Sequence, residues 1–324
     1  MKIAFVGKGG SGKTTLSALF ARHLAAAGDT VVAVDADINQ HLGVALGLAE
    51  DEVPALPALG ARLTPIKEYL RGDNPLIESA AAMVKTTPPG RGSRLLVPGG
   101  DDPIHGLARR VDGVLLLVTG AFAAEDLGVA CYHAKVGAVE LYLNHLVDGP
   151  GRHVVVDMTA GADAFASGLF TRFDLTFVVA EPTRKGMSVY RQYRDYAAEY
   201  GIALAVVGNK VTGPDDIAFL REQAGDDLLA CVAHSRYVRA LDQGGHASLD
   251  GLEPVNRAAL DLLRTAMEAR TKDWAAFQEQ AVAFHLKNAA AWADRATGQD
   301  LSRQVDPGFR HGPRALLAQA PAPA

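Results

Sequence analysis

Short apolar runs alternate along this chain with longer amphipathic segments, and several of the runs end in glycine or an acidic residue. Seven runs have the length of buried strands, at residues 3–6, 30–34, 95–97, 113–118, 152–156, 175–180 and 203–208. Segments such as 16–27 and 186–200 have the length and spacing of helices. Because strands that alternate with helices build parallel sheets, the pattern predicts an α/β fold. We expect a mostly parallel, doubly wound sheet flanked by helices.

The pattern becomes helical after residue 251, with helices predicted over 255–270 and about 274–293. An apolar stripe along the second of these helices favours packing against the core over a cofactor site. The tail from Gln304 is rich in proline and glycine, which predicts flexibility. We therefore expect a main α/β domain at residues 1–250, a packed helical extension at 251–303 and a flexible tail at 304–324. The stripe consists of Trp274, Phe277, Ala281, Phe284 and Trp292.

Composition narrows the class of protein. The chain has 324 residues, of which 48% are hydrophobic and 21% are charged, as is usual for a globular protein. It has no apolar run of bilayer length, no signal peptide is predicted, and its two cysteines exclude a disulfide framework. These features predict a cytoplasmic protein without a membrane anchor. The net charge of −5 argues against nonspecific binding of nucleic acid.

Residues 7–15 form a glycine-rich loop between the first predicted strand and the first predicted helix. They match the pattern G-x-x-x-x-G-K-[ST], whose backbone N–H groups cradle nucleotide phosphates. In that pattern Lys13 reaches the β- and γ-phosphates and the Thr14 hydroxyl ligates Mg²⁺. A glycine-rich turn that binds nothing is the alternative, but the flanking strand and helix favour the phosphate site. The candidate ATP-binding residues here are Gly7, Lys8, Gly9, Gly10, Ser11, Gly12, Lys13, Thr14 and Thr15.

Acidic residues follow two further predicted strands. Asp35 and Asp37 end the second strand, and Asp157 ends the strand at 152–156, with Gly161 four residues later. Ligands of open α/β sheets bind at the carboxyl edge, where these side chains are expected. Asp157 and Gly161 have the arrangement of a Walker B and switch II segment, which holds Mg²⁺ and approaches the γ-phosphate. The alternatives are helix caps for Asp35 and Asp37 and a plain turn after Asp157.

Asn209 and Lys210 are two further candidate ATP-binding residues. The stretch 209–212 resembles the base-recognition motif N-K-x-D, with Thr212 in place of the final Asp. Guanine recognition requires an accepting carboxylate at that position. The substitution therefore favours adenine.

A second lysine in the loop carries a family resemblance. Lys8 gives the form K-G-G-x-G-K-T-T, which resembles the deviant Walker A motif of MinD, ParA and the nitrogenase iron protein. The resemblance implies that ATP brings two copies together and that Lys8 reaches the nucleotide of the partner. The stretch 34–39 is similar to switch I of the same class, with Ile38 in place of the usual proline. By this resemblance Asp37 orients the attacking water and Asp35 lies near Mg²⁺. Lys8, Lys13 and Asp37 are the candidate catalytic residues; a solvated loop position is the alternative for Lys8.

Within this class, residues 7–15, 34–39, 154–161 and 180–182 are most similar to CooC-like ATPases, which help insert nickel into carbon monoxide dehydrogenase. That family has a C-x-C metal-binding pair before switch II, whereas this chain has Cys131 and His133. Two copies across a two-fold axis would offer Cys₂His₂, a ligand set suited to Ni²⁺ or Zn²⁺. The alternative is a core cysteine beside an unrelated histidine.

These observations predict a Mg²⁺-dependent ATPase that dimerises with ATP and acts as a metallochaperone for a metalloenzyme client. One alternative is a ParA- or MinD-like ATPase that positions another cargo. The tail at 314–319 is too short and too weakly basic for a MinD-like membrane helix. A nitrogenase iron protein-like reductase is disfavoured because residues 158–170 contain no cysteine for a cluster. A small-molecule kinase is disfavoured by Lys8.

Overall fold

The computed structural model describes residues 1–37, 39–121, 132–161, 165, 168–245 and 247–319, and describes only the backbone at 132–134. Within these ranges eight strands form one sheet in the order β3-β4-β2-β5-β1-β6-β7-β8. Neighbouring strands are parallel except β3, which pairs antiparallel with β4. The strands are β1 (Lys2–Gly7), β2 (Thr30–Ala36), β3 (Arg109–Val111), β4 (Val114–Val118), β5 (Arg152–Met158), β6 (Leu175–Ala180), β7 (Leu204–Val211) and β8 (Leu228–Ala233).

Helices cover both faces of this sheet. In the described part of the chain they are α1 (Lys13–Ala26), α2 (Leu42–Leu46), α3 (Leu63–Arg71), α4 (Tyr132–His145), α5 (Ser188–Tyr200), α6 (Pro214–Ala224), α7 (Arg236–Asp242), α8 (Pro254–Glu268), α9 (Trp274–Asn288), α10 (Asp294–Thr297) and α11 (Pro313–Leu317). A π-helical turn, Ala289–Ala293, joins α9 to α10.

Two hydrophobic clusters lie on opposite faces of the sheet. Alternate residues of β1 point into different clusters, with Ala4 and Val6 in one and Ile3 and Phe5 in the other. The first cluster includes residues of α3, α4, α5 and α6, and the second includes residues of α1, α2, α7 and α8. Because β1 is buried on both faces, residues 3–6 are continuously apolar, as in parallel sheets generally. The predicted α/β fold with a mostly parallel sheet is confirmed.

Residues 95–97 differ from the prediction of a strand. Leu96 makes one isolated bridge to Leu146, beyond the end of α4, and does not join the sheet. The short strand β3, which was not predicted, occupies the sheet edge beside β4 instead.

The C-terminal part of the chain is packed closely as far as the structure describes it. In the predicted flexible tail, Gln304, Asp306, Phe309 and His311 are buried. The His311 ring stacks on Trp274 at 5.0 Å, and His311 Nε2 lies 2.9 Å from the Asn144 carbonyl oxygen. A few aromatic and polar side chains thus pack a proline- and glycine-rich segment against the core. The domain boundary at residue 250 stays a prediction.

The extension also meets the amino edge of the sheet. Lys2 is fully buried, and its ammonium group donates to the Leu146 carbonyl oxygen at 2.6 Å. The same group lies 4.3 Å from the ring centre of Phe277 in α9. Lys272 Nζ, just before α9, lies 3.2 Å from Asp148 and 2.7 Å from Asp174. These contacts join α9 to the first strand of the chain.

No helix in the described ranges is long and apolar enough to cross a bilayer.

Candidate nucleotide-binding site

The glycine-rich loop connects β1 to α1 at the carboxyl edge of the sheet. Gly10 and Gly12 have positive φ angles of 82° and 90°, a conformation that side chains other than glycine rarely adopt. A Cβ atom at Gly12 would overlap the Asn209 amide, and one at Gly7 would lie 2.5 Å from the Val179 carbonyl oxygen. Gly7 is therefore required by a close contact, and Gly12 by a close contact as well as by its conformation.

An open cleft of about 560 Å³ lies in front of this loop. It is long enough to reach from the start of α1 to α7, since Leu241 and Asp242 of α7 also line it. It is lined by residues of the glycine-rich loop, of α1, of β7 and of the loops that follow β2 and β5. These residues include Gly12, Lys13, Thr14, Asp37, Ala160 and Lys210.

The Lys13 ammonium group is buried beside carboxylates. Its Nζ atom donates to Asp37 Oδ2 at 2.8 Å. Burial alone would lower the pKa of Lys13, but the carboxylates of Asp157 and Asp37 outweigh burial and raise it. Lys13 is therefore held charged. Asp37 also accepts bonds from the backbone and side-chain nitrogens of Asn39, both at 3.1 Å.

Asp35 and Asp157 occupy matching positions in the adjacent strands β2 and β5, and both are fully buried. Burial, followed by repulsion from Asp157, raises the pKa of Asp35 to about 8. Burial raises the pKa of Asp157 to about 6, although Lys13 and the Thr14 hydroxyl oppose the shift. Two carboxyl groups are therefore crowded at this edge of the sheet, where burial and their mutual repulsion disfavour the charged forms.

The hydrogen bonds of these two acids differ. Asp157 accepts from the Thr14 hydroxyl at 2.6 Å and from the Ser17 hydroxyl at 3.4 Å. Asp35 accepts from the backbone N–H of Leu42, the first residue of α2, at 2.9 Å. That bond is the one that a helix-capping role predicts, so Asp35 supports α2 whether or not it also lies near a metal.

The residues at this edge fit a magnesium ion bound together with a nucleotide. Mg²⁺ prefers oxygen ligands and is usually held by one or two carboxylates plus substrate phosphates. The Thr14 hydroxyl donates to the Asp157 carboxylate, and Asp35 lies beside Asp157 in the neighbouring strand. The raised pKa values of the two acids indicate a site that a cation would stabilise.

Asn209 and Lys210 both hold the glycine-rich loop. The Asn209 amide donates to the Ser11 carbonyl oxygen and the Lys210 ammonium group to that of Gly10, each at 2.7 Å. Consecutive side chains of a regular strand point to opposite faces. Here the pairing of β7 with β8 is irregular between Gly208 and Val211, and Lys210 has a positive φ of 58°. This irregularity lets both side chains reach the same loop.

Glu181 and Ser17 were missed as site residues by sequence reasoning. Glu181 follows β6 and its carboxylate lies 2.6 Å from Lys210 Nζ, so it helps to aim that lysine at the loop. Its position directly after a buried strand was the available signal. Ser17 lies one turn along α1 from Lys13, and its place beside Asp157 follows only from the order of the strands.

The remaining predicted residues occupy the rim of the site or lie outside the described ranges. Lys8 is half-buried, and its carbonyl oxygen accepts from Ser11 N–H at 3.0 Å. Gly161 has a positive φ of 73° in the loop that follows Asp157. Cys131 lies outside the described residues. Only the backbone of His133 is described, in the first turn of α4. Among the residues whose side chains are described, no group of three or more His, Cys, Asp or Glu could hold a metal ion.

A phosphate-binding loop between the first strand and first helix, with acids from two adjacent strand ends beside it, defines a P-loop nucleotide-binding protein. Residues 3–226 match the model of the CobQ/CobB/MinD/ParA nucleotide-binding domain, and the chain belongs to this family.

Relatives and solved structures agree with this assignment. The chain is 29% identical over 273 residues to the carbon monoxide dehydrogenase accessory protein CooC of Rhodospirillum rubrum, covering 83% of this chain and 97% of that protein. MinD of Pyrococcus horikoshii, solved with Mg-ADP, has a TM-score of 0.56 at 16% identity, covering 83% of this chain and 96% of the other. MinD in the MinC:MinD complex of Aquifex aeolicus has a TM-score of 0.53 at 18% identity, covering 84% and 97%. The two structural matches show the same fold, and the second shows that a family member forms a protein complex.

Proposed function

We propose that this chain is a Mg²⁺-dependent ATPase that works as a nucleotide-switched homodimer. The observation that best supports the proposal is the meeting of Lys13, Thr14, Asp37 and Asp157 at one edge of the sheet. Lys13 and Thr14 bond directly to Asp37 and Asp157, at 2.8 and 2.6 Å. A phosphate-binding lysine, a metal-binding hydroxyl and two carboxylates are the groups that phosphoryl transfer to water requires.

The mechanism assigns a role to each group. Backbone N–H groups of the loop and the N-terminus of α1 hold the phosphates, and Lys13 neutralises charge on the β- and γ-phosphates. Thr14 and Asp157 would hold Mg²⁺, which when bound neutralises phosphate charge and orients the nucleotide. Asp37 orients a water molecule for attack on the γ-phosphate. Asn209 and Lys210 keep the loop in its binding shape, with adenine as the proposed base.

The dimer is the next part of the proposal. Lys8 is half-buried and directly precedes Gly9, which lines the cleft. Two observations support a dimer. The loop resembles the deviant Walker A motif, and the chain belongs to the family that includes MinD and ParA. We propose that ATP brings two copies face to face and that each Lys8 reaches the nucleotide of the partner.

The proposed cellular role is the maturation of a metalloenzyme. The support is the similarity to CooC along most of both chains. Cys131 and His133 are proposed to bind Ni²⁺ or Zn²⁺ between two subunits. Formation of the dimer would complete the metal site, and hydrolysis would open it. The metal is cargo in this proposal, and the client is the metalloenzyme that receives it.

The nucleotide-binding proposal is tested by titrating a fluorescent ATP analogue and by measuring phosphate release. Lys13→Ala is expected to lose ATP binding. Lys8→Ala is expected to keep most of the affinity and to lose the ATP-dependent dimer, measured by light scattering. Retained affinity in Lys13→Ala contradicts the phosphate site, and unchanged dimerisation in Lys8→Ala contradicts the role of the second lysine.

The metal proposal has its own experiment. Native mass spectrometry with Ni²⁺ or Zn²⁺, with and without Mg-ATP, is expected to find one metal per dimer. The double variant Cys131→Ala, His133→Ala is expected to dimerise with ATP but to lose the metal. An ATP-dependent dimer of the wild type without metal contradicts this part and points to a ParA- or MinD-like switch that acts on another partner.

A further inference from the structure

Six aromatic side chains connect the segment after Asp157 to α9. We call them the aromatic row. Phe165 and Phe170 come from the segment after Asp157, Tyr200 from the end of α5, and Phe284 from α9. The remaining two, Tyr193 and Tyr196, lie on α5.

The rings of the aromatic row touch in sequence. Phe165 lies 4.2 Å from Tyr193, 4.6 Å from Tyr196 and 5.3 Å from Phe170, measured between ring centres. Phe170 in turn lies 5.3 Å from Tyr200 and 5.7 Å from Phe284. Such ring pairs contribute roughly 0.5–1.5 kcal/mol each beyond the burial of their area. Phe165 cannot shift far without disturbing the contacts of Phe170 with α9.

A second set of contacts joins the same segment to α9. Gly168 packs so closely that a Cβ atom there would lie 2.6 Å from Glu140 and 3.1 Å from the Phe284 ring. Arg172 is fully buried and donates to the Phe277 carbonyl oxygen in α9 at 3.0 Å. It also donates to Asn144 in α4 at 3.3 Å. Residues 168–172 are therefore fixed between α4 and α9.

The nucleotide site lies at the other end of this segment. Asp157 bonds to Thr14, and Ala160 lines the cleft. Gly161 follows with a positive φ, at which the backbone can change direction. A γ-phosphate in the cleft would lie against this loop, and such loops change their arrangement between nucleotide states in other P-loop switches.

We infer that α9 and the turn after it respond to the nucleotide, through the aromatic row and the Gly168–Phe284 contact. This inference rests on the proposed ATP binding. It gives the C-terminal extension, which lies beyond the matched residues 3–226, a function in switching. Coupling between two sites is reciprocal, so a partner that binds the extension would change the affinity for ATP by the same factor.

Tryptophan fluorescence can report on this coupling without an added label. Its two tryptophans, Trp274 and Trp292, both lie in the extension. Trp292 is 43% exposed and donates to Asn288, which in turn donates to the Phe284 carbonyl oxygen. Trp292 is thus linked along one face of the helix to the last ring of the aromatic row. The variant Trp274→Phe leaves Trp292 as the only tryptophan.

The experiment measures Trp292 emission and its quenching by acrylamide in Trp274→Phe, with and without Mg²⁺ and a non-hydrolysable ATP analogue. Nucleotide is expected to change both signals. Adding Phe165→Leu, which removes the ring but keeps an apolar side chain, is expected to abolish the change while nucleotide still binds. Adding Tyr196→Phe, which keeps the ring, is the matched control and is expected to retain it.

Dimerisation is separated by repeating the measurement at protein concentrations at which light scattering detects only the monomer. The nucleotide-induced change is expected to persist, because the proposed coupling lies within one molecule. Loss of the change in the monomer, or full retention of it in Phe165→Leu, overturns the inference. Nucleotide binding by the parent variant without any change at Trp292 also overturns it, with the ATP site intact. Failure to bind nucleotide at all overturns the proposed function instead, and the inference with it.

Discussion

Lys13 and Asp37 are bonded to each other at 2.8 Å, with both side chains nearly excluded from solvent. The cation that is proposed to bind phosphate is therefore neutralised by the carboxylate that is proposed to orient water. A phosphate entering the cleft competes with Asp37 for Lys13. Once Lys13 has turned to the phosphate, Asp37 is free to accept a hydrogen bond from water. Nucleotide binding and the release of Asp37 are thus coupled in this arrangement.

The first prediction concerns Asp37→Asn. Removing the competing charge is expected to raise ATP affinity by about tenfold, since a hydrogen bond between charged groups is worth roughly 1.5–3 kcal/mol. Hydrolysis is expected to fall by about 10²-fold or more because the group that orients water is lost. Titration with a fluorescent ATP analogue and single-turnover phosphate release measure the two effects. Equal affinity in the variant and the wild type would contradict competition for Lys13.

The second prediction concerns the fit of the glycine-rich loop against Asn209. Gly12→Ala is expected to weaken ATP binding by at least about tenfold more than Gly10→Ala. Both positions have positive φ, so both variants carry backbone strain of roughly 1–3 kcal/mol. Only a Cβ at Gly12 meets Asn209, whereas nothing lies within 4 Å of one at Gly10.

The same measurement of ATP binding tests whether the contact with Asn209 causes the loss in Gly12→Ala. Combining Gly12→Ala with Asn209→Ala is expected to cost less than the sum of the two single changes, since the clash is removed. Additive losses would show that Asn209 is not what excludes a side chain at position 12.

The third prediction concerns pH. His145 is fully buried in α4, and burial lowers its pKa to about 4 from 6.5. Below pH 6.5 the unfolded chain binds a proton at this residue that the folded chain does not. The free energy of unfolding therefore falls as pH drops from 6.5 towards 4, by about 3 kcal/mol from this group. Urea denaturation at several pH values measures the loss.

Asp35 and Asp157 have the opposite effect on the free energy of unfolding over part of this pH range. Burial raises their pKa values, so the folded chain binds more protons at these two acids than the unfolded chain does. The comparison is therefore made against His145→Gln, which retains both acids. The stability of this variant relative to the wild type is expected to improve steadily as pH falls from 6.5 to 4. A difference that does not vary with pH would show that His145 is protonated equally in both states.

The fourth prediction concerns the segment after residue 303. Phe309 is 5% exposed and packs with Leu95 and Val147, so Phe309→Ala is expected to cost about 3 kcal/mol of stability. Leu317→Ala is the matched control, since Leu317 is 73% exposed and is expected to change stability by less than about 0.5 kcal/mol. Equal effects of the two substitutions on the denaturation midpoint would mean that the segment does not contribute to the core.

Features encoded by neighbouring residues were predictable from the sequence. The strand, glycine-rich loop and helix around Lys13 lie within one stretch of chain, so their order alone indicated the phosphate site. The pairing of Asp35 with Asp157 needs β2 and β5 to be adjacent, and the sequence indicated only that both acids lie at the same edge. The bond of Asp35 to Leu42 spans only seven residues, and a capping role for this acid is one that the sequence indicates.

Other features depend on a few residues or on distant contacts. The approach of Lys210 to Gly10 requires an irregular strand pair and a positive φ, neither of which a hydrophobic pattern records. The packing of residues 304–319 depends on Phe309 and His311, whose contribution is hidden by the average composition of a proline- and glycine-rich segment. The proline and glycine content of this segment predicts flexibility, since composition does not show that the ring of His311 stacks on Trp274.

The burial of Lys2 beneath the extension has a consequence for synthesis of the chain. Lys2 leaves the ribosome long before Lys272 and Phe277, which cover its end of the sheet. The nascent sheet therefore has an uncovered amino edge until these residues emerge. A chain that stops before residue 272 would retain the whole nucleotide-binding loop and yet leave Asp148 and Asp174 without the Lys272 ammonium group.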